Sequence, residues 1–187
     1  MPKTYEDLLN PIYKGEIVIA DPNTSGTAYT MLASIIQSMG EDKAKEFLKK
    51  MKDNVGEFTT NGYTPVQKVA TGEYLIGINF LSDQLLIKDS GFNIVTNVPK
   101  NSGWNIDAIS KIKNGPNGDI GKYFIDFCTT KEVEETLNNI SFAMLTRQDT
   151  RDIGGIKLNQ LDIYNDYNFV KASNDRAVSY THLRAHE

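Results

Sequence analysis

The sequence predicts an α/β fold with mostly parallel strand pairing, and three observations carry that expectation. Compact apolar runs alternate with segments of helical apolar spacing. The run Glu16-Ile17-Val18-Ile19-Ala20 is too short for a helix and apolar throughout, as a fully buried strand is. It leads through a cluster of turn and capping residues straight into an amphipathic helix.

In chain order, Tyr5–Leu9 reads as a short helix that stops before Asn10-Pro11, and the strand at residues 16–20 follows. Met31, Leu32, Ile35, Ile36 and Met39 then fall at helical spacing, with Gly40 as the C-cap. A charged helix from about Asp42 to Met51 presents Ala44, Phe47, Leu48 and Met51 on one face. Tyr63-Thr64-Pro65 opens a short helix through Val66 and Val69. Tyr74–Phe80 and Phe92–Thr96 are strand candidates, with an amphipathic stretch from Ser82 to Asp89 between them. Pro99–Gly103 is a loop, Trp104–Ile112 reads as extended, and helices are expected over about Asn117–Thr129 and Lys131–Asn139.

At 187 residues, with 40% hydrophobic and 24% charged residues, the chain has the composition of a globular protein. The net charge is −4 and no basic stripe stands out, so nucleic acid is not an expected partner. No apolar run is long enough to span a membrane. The single cysteine, Cys128, rules out an internal disulfide and a thiolate zinc cage, and its apolar setting predicts a buried side chain. The polar N-terminus lacks the apolar core of a secretory signal, which points either to a cytosolic chain or to a missing true N-terminus.

The chemistry is concentrated in Asp21-Pro22-Asn23-Thr24-Ser25-Gly26-Thr27, between strand and helix. A helix N-terminus leaves backbone N–H groups without intrahelical partners and carries partial positive charge. Ser25 and Thr27 add hydroxyl donors, and Gly26 lets an anion approach the backbone with no Cβ in the way. Two readings stand side by side: an anion cradle, or plain helix capping by Thr24 or Ser25.

Tyr13–Pro22 running on through Ser25-Gly26-Thr27-Ala28-Tyr29 resembles the start of the second lobe in periplasmic iron-, phosphonate- and phosphosugar-type solute-binding proteins. Gly72–Ile78, Pro99–Gly103 and Lys122–Phe127 with Lys131-Glu132 follow in the family's order, so the resemblance covers roughly residues 5–177. It implies a periplasmic-binding-protein-like clamp of two α/β lobes, of which this chain holds the second lobe and the returning part of the first. Residues 1–14 would then end a first-lobe segment, 15–98 form the second lobe, and 99–177 cross the hinge and return. The resemblance further implies a monomer without cofactor that captures a small anionic solute and delivers it to ABC permease subunits. The location would be periplasmic or extracellular, with the export signal lost by truncation. In the family the Ser-Gly-Thr turn contacts the anionic group, which maps to Ser25, Gly26 and Thr27. The later Phe80-Leu81-Ser82-Asp83 loop supplies polar contacts, which maps to Ser82 and Asp83, although helix capping reads equally well there.

The ligand class implied is a phosphorylated or phosphonate compound, or ferric iron with a synergistic anion. No metal-binding residue is assigned: the adjacent tyrosine pair of ferric-binding relatives does not occur, and Tyr164 and Tyr167, separated by two residues in a polar segment, are expected to pack at the surface. The rival reading is a cytosolic α/β enzyme acting on a phosphorylated metabolite, but no catalytic residues are marked. The P-loop pattern is absent, and both histidines, His182 and His186, lie in the terminal segment. That segment, residues 178–187, reads as a non-native read-through tail and is set aside from the fold.

Overall fold

The computed structural model describes residues 1–150, 156 and 158–176, so the terminal segment with His182 and His186 lies outside the described residues. The chain divides into two units, Met1–Trp104 together with the chain from Leu161 onward, and Asn105–Gln160.

The first unit is built on a three-stranded parallel sheet of order β2-β1-β3, with β1 at Ile17–Ala20, β2 at Val55–Thr59 and β3 at Ile76–Ile78. The α/β class and the parallel pairing are as the sequence predicts. Every residue of β1 is at most 2% exposed, which is why its sequence is an unbroken apolar run. Helix α1 (Gly26–Met39) ends at Gly40, whose φ of 82° is the left-handed conformation that favours glycine. Helix α2 (Glu41–Lys52) buries Ala44, Phe47 and Met51 against Tyr5, Leu8, Ile17, Ile19, Met31 and Ile35. The amphipathic faces read from spacing are thus the faces that form the core.

Strand β2 is not visible in the sequence pattern, because Val55-Gly56-Glu57-Phe58-Thr59 has neither clean alternation nor a β-branched run. It forms because β1 offers it a partner. The register skips between Ile17↔Val55 and Val18↔Glu57, leaving Gly56 as the extra residue. A Cβ at Gly56 would come within 2.2 Å of the Gly15 carbonyl oxygen, so the irregularity requires glycine.

Helices α3 (Thr64–Ala70) and α4 (Leu81–Asp89) lead into and out of β3. The strand expected at Phe92–Thr96 does not form. Its continuation is tied elsewhere: the Asn97 N–H donates to the Gln84 side chain at 3.3 Å, and the Asn97 amide donates to the Pro2 carbonyl at 2.5 Å. Residues 104–112 likewise join no strand ladder. Residues 161–176 belong to this unit. Ser102 bridges to Ile163, and the Ser102 N–H and carbonyl pair with Asp162 and Tyr164 at 3.2 and 2.9 Å. Helix α7 (Phe169–Asn174) and Tyr167 close a second cluster with Tyr29, Leu32 and Ala33 of α1.

The second unit contains α5 (Ile120–Cys128) and α6 (Lys131–Ser141). Its apolar side chains stay open to solvent, with Phe124 59%, Phe127 58% and Leu137 47% exposed. Cys128 is half-buried rather than buried, in a helix none of whose residues is buried among the described residues. Amide exchange on this 187-residue chain should therefore be slowest in β1 and α1 and much faster in α5 and α6. Equal protection across the two units, read by mass spectrometry, would contradict this account.

Candidate functional site

The site predicted from sequence sits where parallel strands end. β1 lies between β2 and β3, so the chain runs to one side of β1 for β2 and to the other for β3. That reversal is a topological switch point, and the carboxyl ends of the strands at such a point are where open α/β sheets bind ligands. The Ile19↔Ile78 pairing puts the turn after β1 and the turn after β3 beside one another.

The turn after β1 is held from within. Asp21 donates its N–H to the Thr59 carbonyl at 2.7 Å, and its own carbonyl accepts from the Thr24 and Ser25 N–H groups at 3.1 and 2.9 Å. The Asp21 carboxylate accepts from the backbone and side-chain nitrogens of Asn23 at 2.8 and 2.7 Å. Ser25 is the N-cap of α1, and its Oγ accepts from the Ala28 N–H at 3.5 Å, a long bond. Capping therefore falls to Ser25, not Thr24, whose hydroxyl donates to the Asp21 carbonyl. Gly26 is exposed and Thr27 half-buried. Their N–H groups and the Thr27 hydroxyl have no hydrogen-bond partner among the described residues.

A neighbouring loop that sequence reasoning missed completes this surface. After β2, Thr59 donates its hydroxyl to the Asn61 carbonyl, and Asn61 Oδ1 accepts from the Tyr63 and Thr64 N–H groups at 3.0 and 2.9 Å. Gly62 is thereby pressed against the β1 turn: a Cβ there would lie 2.4 Å from Thr27 Oγ1 and 3.2 Å from Ser25 Oγ. The Asn61-Gly62 dipeptide was the available signal, a turn signature following a polar pair.

Ser82 and Asp83 fall in the first turn of α4, both half-buried. Neither is the cap, because Phe80 holds that position without a side-chain cap bond. Burial raises the Asp83 carboxyl above its usual range, and the nearby Asn79 side chain partly offsets that effect. Asn101, beyond these strands, has a φ of 58° and is exposed. Tyr164 donates its hydroxyl to the Gln37 carbonyl at 3.1 Å, while Tyr167 is a buried core residue rather than surface packing. Two surface hollows lie elsewhere, around Met1–Tyr13 and around Glu6, Met39 and Phe47, and neither includes the strand-end turns.

Residues 1–160 match the family described as bacterial extracellular solute-binding protein. The chain belongs to that family. A curated relative, an uncharacterized protein of Haemophilus influenzae, is 41% identical over 136 residues, which is 72% of this chain and 39% of the relative. The periplasmic binding protein AfuA from Actinobacillus pleuropneumoniae, solved with exogenous fructose-6-phosphate bound, is similar at 36% identity with a TM-score of 0.87. That match covers 99% of this chain and 59% of AfuA. Iron-bound HitA from Pseudomonas aeruginosa is similar at 20% identity with a TM-score of 0.76, over 99% of this chain and 61% of HitA, which shows the shared fold alone. The chain thus spans less than two thirds of each of these relatives. The family lends no support to the rival enzyme reading.

Two substitutions separate the structural parts of the turn. Ser25→Ala removes the cap and should lower unfolding stability by about 1 kcal/mol in urea denaturation. Gly62→Ala drives a methyl into Thr27 and should cost about 1–3 kcal/mol. A neutral Gly62→Ala would mean that the two loops do not touch as described.

Proposed function

We propose that this chain carries the anion-binding half of an extracytoplasmic receptor that captures a phosphorylated solute, of the sugar-phosphate class, for an ABC importer. The observation that carries the reading is the set of unpartnered donors at the start of α1, namely the Gly26 and Thr27 N–H groups and the Thr27 hydroxyl. The similarity to a relative solved with fructose-6-phosphate supports the ligand class.

A phosphate has several acceptor oxygens and negative charge. Convergent N–H and O–H donors in the field of a helix N-terminus meet both requirements without a lysine or arginine. Ser25 contributes its hydroxyl proton while Oγ continues to accept from the Ala28 N–H. Gly26 keeps the approach open and Gly62 fixes the back of the turn. Asp83 and Ser82, beyond the neighbouring strand, take the hydroxyl end of the solute, with Asp83 as acceptor. The carboxylate and the phosphate stay at opposite ends, because like charges side by side would oppose binding.

In this reading residues 15–98 form the second lobe of the clamp. The chain from residue 99 crosses out of that lobe, and residues 161–176 come back onto α1. The exposed apolar side chains of α5 and α6 are where the remaining stretch of the first lobe packs in the complete protein. The protein works in the periplasm or outside the cell, as a monomer that hands its ligand to the permease. It performs no catalysis on that ligand.

Calorimetric titration of the complete natural protein with fructose-6-phosphate tests the cradle. Losing one hydroxyl bond to a charged group costs about 1.5–3 kcal/mol, so Thr27→Ala should weaken binding roughly ten- to a hundredfold. Gly26→Asp, which puts a carboxylate where the phosphate sits, should nearly abolish it. Fructose without the phosphate should bind far more weakly. Unchanged affinity in both variants would reduce the turn to a helix cap.

A further inference from the structure

Asn79 follows β3 directly, beside the end of β1 that leads into the anion turn. Its side-chain nitrogen and oxygen are both closed off from solvent, and neither has a hydrogen-bond partner among the described residues. Its main-chain carbonyl is engaged, by Gln84 Nε2 at 3.5 Å, so the unmet groups are those of the amide alone. A buried amide without partners is costly, and an apolar side chain of the same size would avoid that cost. Such a group makes physical sense if another state of the protein supplies its partners. Asp83, four residues on and half-buried, is the group that senses it: Asn79 lies near enough to favour the ionised carboxylate without completing a hydrogen bond.

We propose that Asn79 is a positioning residue for Asp83: when solute binds, its Nδ2–H donates to one carboxylate oxygen and orients the other toward a solute hydroxyl. This rests on the reading above that Asp83 takes the hydroxyl end of a phosphorylated solute. The amide completes its hydrogen bond to Asp83 in the bound state, so that bond strengthens binding more than it stabilises the free protein.

The other charged groups around Asp83 leave this pairing undisturbed. Helix α3, packed on α4, carries Lys68, which Glu57 and Glu73 hold at 2.9 and 3.1 Å. The segment 92–98 that reaches Gln84 has no ionisable residue, and Lys88 and Asp89 lie at the far end of α4. Burial and Asn79 are what act on the Asp83 carboxyl.

The test is the pH dependence of fructose-6-phosphate affinity in the complete natural protein, in Asn79→Leu, Asp83→Asn and the double variant. An accepting Asp83 must be ionised, so affinity rises with pH through its pKa. Asn79 lowers that pKa, and Asn79→Leu should therefore move the midpoint to higher pH and weaken binding about tenfold at neutral pH. Thermal stability should be equal or higher, because the unmet amide is gone. Asp83→Asn removes the carboxylate and leaves only the titration of the ligand's own phosphate, and adding Asn79→Leu to it should change little. If Asn79→Leu does not fold, Asn79→Thr serves with the same readouts. An unmoved midpoint together with additive losses in the double variant overturns the role of Asn79 and leaves Asp83 in place. Unaltered affinity in Asp83→Asn overturns the reading on which both depend.

Discussion

Both edges of β1 are hydrogen-bonded to parallel neighbours, and that constraint organises the first unit. A strand paired on both sides and covered on both faces has no solvent contact, which only an apolar sequence tolerates. Parallel partners cannot be joined by tight turns, so each must be reached through helices. With β2 on one side and β3 on the other, the crossovers diverge at β1, and their starting turns gather at one end of the sheet. The irregularity at Gly56 is a local consequence: β2 must accommodate the Gly15 carbonyl and still meet Val18, Ile19 and Ala20 in register.

Capping and anion binding are compatible at the turn after β1. A helix start has several N–H groups to satisfy, and Ser25 takes only that of Ala28. The N–H groups of Gly26 and Thr27 remain available. Asp21 and Asn23 fix the turn through short internal bonds, so binding of the proposed solute would cost it little conformational freedom. The Asn61–Tyr63 loop does the same from the side, again through an asparagine that satisfies several backbone donors at once. The site consists mostly of main-chain groups held in place by small polar side chains.

The turn after β3 works differently. Asp83 and Asn79 are side-chain groups placed partly or wholly out of water, where an acceptor or donor is strong once paired and costly while unpaired. In the proposed function, the two strand ends divide recognition between a rigid cradle for charge and a pair of side chains sensitive to what is bound.

The sequence by itself determined the α/β class, β1, the amphipathic faces of α1 and α2, the Gly40 stop and the turn at Ser25-Gly26-Thr27. Each of these rests on residues within a few positions of one another. Family membership was legible for the same reason, as short motifs in a fixed order. Only the tertiary structure decided β2, whose residues lack strand character until β1 pairs with them, and the absence of a strand at Phe92–Thr96, whose flank is tied instead to Gln84 and Pro2. The approach of Gly62 to Thr27 and the unmet amide of Asn79 beside Asp83 were equally hidden. Contacts between turns that follow different strands depend on which strands are neighbours, and no local pattern encodes that.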